Sequence, residues 1–119
     1  MDPVNLDYFR EAAMDDEEFM RELFDVFRED TPTQLARLRD AVSSGDFEVT
    51  AAAAHRLKGS SGNIGAQSLL ALAKQLEQAG QFARAERAES LVGQVEVEFG
   101  RVCEFLESTF ADEPVAPTG

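Results

Sequence analysis

Apolar residues recur along the chain at spacings of three and four, the period of one helical face. A short helix is predicted over about residues 6–13, with Leu6 and Phe9 one turn apart and Asn5 placed as its N-cap. Asp15 or Asp16 then opens a long segment whose apolar positions are Phe19, Leu23, Val26, Phe27, Leu35, Leu38 and Val42. Pro32 interrupts it, so the segment reads as one kinked helix ending near Val42, or as two helices with Thr31 as a cap. The kinked helix is the expectation. Gly45 closes that helix and Asp46 caps the next, predicted over about residues 46–62 with Phe47, Ala51, Ala54 and Leu57 apolar and the pattern continuing to Ile64. After a turn at Gly62-Asn63-Ile64-Gly65, a fourth helix over about residues 66–79 carries Leu69, Leu72, Ala73 and Leu76. Gly80 is read as its C-cap. The last helix, about residues 82–110, places Phe82, Ala85, Ala88, Val92, Val95, Phe99, Val102 and Leu106 on a seam close to a heptad repeat.

Four amphipathic helices joined by short polar turns bury their faces most simply as an all-α, antiparallel four-helix bundle, with the amino-terminal helix capping one end. That domain is expected over residues 1–111. Residues 112–119 contain Pro114 and Pro117 and no periodicity, and read as a disordered tail. Composition agrees: 17 Ala and 11 Leu stand against 15 Val, Ile and Thr together, which disfavours a β-rich fold. A length of 119 residues suits one core.

Charge narrows the range of partners. With 11 Lys and Arg against 23 Asp and Glu, the net charge is -12, so nucleic acid and anionic membranes are poor partners and a protein is the expected one. Cys103 is the single cysteine and cannot form an intrachain disulfide, and one His with one Cys makes no usual zinc set. Acidic residues interrupt any signal-like amino terminus, and no run reaches the ~20 apolar residues of a membrane span. A cytoplasmic monomer is the expectation.

Against this acidic background, residues 49–76 hold no Asp or Glu but contain His55, Arg56, Lys58 and Lys74. An apolar helix hairpin would explain the gap without any function. At 100° per residue, however, Glu48, Ala52, His55, Gly59 and Gly62 share an arc of about 80° beside the apolar stripe, which turns His55 outward among small residues. Two glycines late in a helix cost about 1 kcal/mol each relative to alanine. Close approach of another body would account for them, as would a loosened helix end. Lys58 lies one turn beyond His55, within reach of a group attached to the ring. An exposed neutral imidazole is a good nucleophile near neutral pH, and a phosphoryl group on it would need the positive charge that Lys58, and less directly Arg56, supplies. A lone surface histidine is more often merely solvated.

The run Ala54-His55-Arg56-Leu57-Lys58-Gly59-Ser60-Ser61-Gly62-Asn63-Ile64-Gly65 closely resembles the signature of the histidine-containing phosphotransfer (HPt) domain of bacterial and fungal phosphorelays. The likeness extends over nearly the whole chain, through Phe19, Leu23 and Phe27, Thr31-Pro32, the Gly45-Asp46 turn, Leu69 and Leu76-Glu77. It implies a helical bundle in which His55 takes a phosphoryl group from an aspartyl phosphate on a receiver domain and passes it to an Asp of another. The receiver would supply the magnesium. The partners would be receiver domains of a hybrid sensor kinase, of a response regulator, or of both. By the same resemblance Lys58 neutralises the phosphohistidine and Gly59 leaves room beside the ring. Some members place a Gln on the neighbouring helix against the imidazole, and the matching position here is Glu77. A carboxylate could accept an imidazole N–H and leave the other nitrogen free, while its charge would oppose a bound phosphate.

Two other function classes compete, an enzyme and a non-catalytic binding module. A di-metal carboxylate bundle needs Glu-x-x-His pairs, and position 52 is Ala52. A nucleophile elbow and a Gly-rich nucleotide loop are both lacking, which argues against a Ser-His-Asp hydrolase and against autokinase activity. A non-catalytic bundle that binds a receiver or other signalling protein is the remaining alternative.

Overall fold

The computed structural model describes residues 2–111, and the expected tail, 112–119, lies outside the described residues. Among the described residues the chain forms five helices: α1 (Leu6–Ala12), α2 (Glu17–Ser44), α3 (Phe47–Asn63), α4 (Gln67–Gln81) and α5 (Ala85–Ala111). Side-chain caps begin the first three. Asn5, Asp16 and Asp46 accept from the backbone N–H groups of Tyr8, Phe19 and Val49 at 3.0, 3.1 and 3.1 Å, satisfying donors the helices leave open. Gly45, at φ 73°, closes α2 in the left-handed conformation that a residue without a Cβ adopts freely.

The four long helices form an antiparallel bundle. Phe24 of α2 meets Phe110 of α5 at one end, with ring centroids 5.9 Å apart, while Arg39 pairs with Glu96 further along. α3 packs on α2 and α4, and α5 on α4 and α2. The short α1 covers the α3–α4 turn, burying Val4, Phe9 and Ala13. Its start is tied there by Asn5 N–H donating to the Gly65 carbonyl at 2.9 Å. Gly65 sits at φ 73°, and a Cβ on it would lie 2.8 Å from the Asn5 carbonyl oxygen, so the close approach of α1 requires glycine. No helix of the described residues is long and apolar enough to cross a membrane.

α2 runs through Pro32 as the single helix expected, and Thr31 is a buried helical residue rather than the cap of the two-helix alternative. Other sequence expectations are corrected. The buried stripe of α2 is Met20, Phe24, Phe27, Thr31, Gln34, Leu38 and Ala41, an unbroken alternation of four and three. Phe19 and Val26 are exposed, because the core seam lies about one residue's rotation from the face that Phe19, Leu23 and Val26 mark. Gly80 does not end α4. It lies inside the helix, where its missing Cβ lets α4 approach the α3 backbone at Phe47 and Ala51. The turn after α4 instead puts Ala83 in the left-handed region, at φ 54°. α5 accordingly starts at Ala85, leaving Phe82 outside the seam and exposed, with Ala85 exposed as well.

Candidate functional site

His55 lies in the middle of α3, on the side facing α4. Leu57, Ala53 and Ala54 anchor the helix in the core, which leaves the His55 side chain 67% exposed. The ring Nδ1 lies 2.8 Å from Oε2 of Glu77, on α4. The other oxygen of the same carboxylate, Oε1, accepts from Lys58 Nζ at 2.9 Å. One glutamate thus joins His55 and Lys58, the two residues that the sequence places one turn apart.

The protonation pattern follows from these contacts. Lys58 chiefly, and His55 less, hold the Glu77 carboxyl below its ordinary value of 4.5, against the opposing effect of burial. Glu77 is therefore ionised near neutral pH and only accepts hydrogen bonds. In the neutral form of the ring, donation to this carboxylate places the proton on Nδ1 and leaves the Nε2 lone pair free. A folded-state value below the unfolded one also means that Glu77 favours the folded state at neutral pH. That contribution is lost as pH falls through the lowered value.

The remaining sequence candidates fall into place unequally. Arg56 does not join the cluster: its Nη2 reaches Asp30 Oδ1 of α2 at 3.3 Å, so it points to the other neighbouring helix. Lys74 is exposed on α4. Gly59 is exposed, one turn after His55, and a Cβ there would meet nothing within 4 Å. Gly62 is half-buried, and a Cβ on it would come within 3.2 Å of Leu70 Cδ1. Packing of α3 against α4 therefore gives Gly62 a role in the fold itself. Nothing in the sequence points to Asp30, since its link to Arg56 spans 26 residues and no local spacing signals it. Cys103 is half-buried, and burial pushes its thiol up to about 11, which leaves it a weak nucleophile near neutral pH.

The open space at Gly59 sets up a test of access against stability. Gly59→Ala should leave stability unchanged or raise it by up to about 1 kcal/mol, because the site is helical and unobstructed. Gly59→Gln should crowd the ring, slowing phosphoryl transfer while the thermal midpoint stays near wild type. Normal transfer by the Gln variant would refute the steric account.

The helical bundle thus presents one exposed imidazole with a carboxylate at its Nδ1 and a lysine on the same carboxylate. The chain belongs to the Hpt domain family, whose model matches residues 22–110. Among solved structures it is similar to the histidine-containing phosphotransfer protein B (HptB) of Pseudomonas aeruginosa PAO1. That likeness has a TM-score of 0.86 and 27% sequence identity, and covers 94% of this chain and 97% of that one. No curated protein matches the chain. Family membership makes the chain a histidine phosphotransfer protein of a phosphorelay, a class that works with receiver domains.

Proposed function

We propose that His55 is the phosphoryl acceptor, taking the group from an aspartyl phosphate on one receiver domain and passing it to an Asp of another. The observation that carries this is the 2.8 Å contact between Nδ1 and Glu77 on a ring left 67% exposed, which makes Nε2 the nucleophile. In the forward step the Nε2 lone pair forms the N–P bond as the P–O bond to the aspartyl carboxylate breaks. The electron pair of that bond returns to the carboxylate. In the reverse direction the N–P pair returns to Nε2.

Lys58 is the phosphate-supporting residue in this reading, since its ammonium is already within hydrogen-bond reach of the carboxylate that holds the ring. Arg56, engaged by Asp30, contributes positive charge from a greater distance. Gly59 provides access, and Gly62 a close helix contact on the same face. Magnesium belongs to the receiver, because the groups gathered at His55 are a single carboxylate and a lysine. The receivers would be those of a hybrid sensor kinase, a response regulator, or both. The protein would act as a monomer in the cytoplasm and would not phosphorylate itself from ATP.

Incubation with a receiver carrying labelled phosphate tests this reading. Label should enter the chain, survive base and be lost in acid, as a phosphoramidate does; a chain that binds the receiver but takes up no label would be an adaptor instead. Lys58→Glu should slow uptake strongly. Two like charges about 6 Å apart cost about 1–3 kcal/mol at effective dielectrics of about 20 to 50, or about 5- to 150-fold in rate. Lys74→Glu should slow it much less. Equal slowing by the two variants, disappearing at high salt, would reduce Lys58 to general electrostatic steering.

A further inference from the structure

On the flank of α4 turned to α5 rather than to α3, an open groove of about 720 Å³ runs past the turn between the two helices. Gln75 and Gln78 of α4, Phe82 and Arg84 of the turn, and Glu86 and Arg87 of α5 line it. Phe82 is 68% exposed. The fold uses its backbone, whose N–H donates to the Gln78 carbonyl at 2.9 Å, and leaves the ring to solvent. One exposed apolar residue is ordinary on any surface. What sets Phe82 apart is the charge around it.

In a chain of net charge -12, Arg21, Arg28, Arg39, Arg56, Lys58 and Arg101 each pair with an acid. Among the described residues, Arg84 and Arg87 do not. Arg87 Nη2 donates to the neutral Gln75 side chain at 2.5 Å. Glu86 is the one acid of the lining, and Glu77, nearby on α4, is held on the other flank by Lys58 and His55. Lys74, exposed one turn before Gln78, adds to the positive side. The groove is thus a positive spot with an aromatic wall on a negative molecule, and aromatic residues and arginine are the types enriched where proteins bind. The remaining surface repels nucleic acid and anionic membranes, and a second copy would bring the same net charge.

We propose that the α4–α5 groove is a second docking surface, which takes an acidic peptide segment of a protein partner, with one aromatic or large aliphatic side chain of that segment packed on Phe82 and its carboxylates facing Arg84 and Arg87. Phe82 follows Glu77 by five residues, about 8 Å along α4, so a segment flanking a receiver seated at His55 reaches the groove. Holding the two contacts together raises the effective concentration of the receiver at the imidazole. Binding in the groove does not depend on the assignment of His55; that gain in transfer does.

Fluorescence anisotropy on the full-length chain tests the proposal with three labelled twelve-residue peptides: one rich in Asp and Glu around a central Phe, one with its acids changed to Lys, and one with the Phe changed to Ser. The acidic Phe peptide should bind best, and less well as salt rises. Phe82→Ser, at an exposed position that leaves the thermal midpoint unchanged, should weaken it by about 30-fold, the loss expected of an interface anchor. Arg84→Glu combined with Arg87→Glu should weaken it by about 10-fold or more at low salt. Val97→Ser, at another exposed apolar position on α5, and His55→Gln should bind as wild type does. Three peptides binding alike, or an affinity that Phe82→Ser leaves untouched, overturns the proposal. So does a dimer, seen by sedimentation, that Phe82→Ser dissolves, because the groove then belongs to a second copy. Peptide binding as expected in a chain that takes no label from a phosphorylated receiver would overturn the role of His55 and leave the docking surface standing.

Discussion

Replacing His55 with Gln is expected to abolish phosphoryl uptake and to leave the thermal midpoint close to wild type. The ring is mostly exposed, so truncating it creates no cavity, and surface substitutions of this kind stay within about 0.5 kcal/mol. A Gln amide can still donate to Glu77, so the carboxylate and Lys58 need not rearrange. No other group at the site replaces the imidazole. The hydroxyls of Ser60 and Ser61, one to two turns away, both donate to the Leu57 carbonyl, and the Cys103 thiol is pushed up to about 11. Acid-labile, base-stable label on the wild type and none on the Gln variant, with matching melting curves, is the expected pair of results. Label retained by the variant would place the acceptor elsewhere in the chain.

The helices and their caps were legible because each rests on a local rule. Asn5, Asp16, Gly45 and Asp46 stand where capping chemistry puts them, and the structure uses all four. Long-range consequences were less legible. The α2 seam passes through Thr31 and Gln34, both buried and both polar, so apolar periodicity points also to Phe19 and Val26, which face solvent. In sequence Gly80 has the look of a helix stop, because glycine usually signals one. The left-handed turn residue is Ala83 instead, and Gly80 serves a helix crossing that only the tertiary structure reveals. At the site, spacing along one helix brought His55 and Lys58 together. The carboxylate joining them comes from α4, and as the first acidic residue after the acid-free stretch it left a visible trace in the sequence. The Arg56–Asp30 pair left none, because it depends on how α3 lies against α2.

The crossing at Gly80 yields the largest stability effect expected from so small a change. A Cβ at Gly80 would lie 2.8 Å from the Ala51 nitrogen, 3.0 Å from the Phe47 carbonyl oxygen and 3.1 Å from the Ala51 Cα. All three are backbone atoms of α3, which cannot turn aside as a side chain can. At Gly62, by contrast, the obstacle is the tip of Leu70, 3.2 Å away and able to change rotamer. Gly80→Ala gains about 1 kcal/mol of helix propensity, yet it must push α4 away from α3, and overpacking of this kind costs about 1–3 kcal/mol or more. Gly80→Leu adds three further carbons to the same gap and should destabilise by about 3 kcal/mol or more. Gly59→Ala, where nothing obstructs the Cβ, should instead leave the midpoint unchanged or raise it. The separation of the helices would also be felt at the site, since Glu77 lies one turn before Gly80 on α4 and reaches His55 across this same crossing. Phosphoryl uptake by Gly80→Ala, measured well below its melting temperature, should therefore fall along with its stability. A Gly80→Ala protein that melts at or above the wild-type temperature would show that α4 can shift to make room at no cost, and that the close crossing does not hold Glu77 against the imidazole.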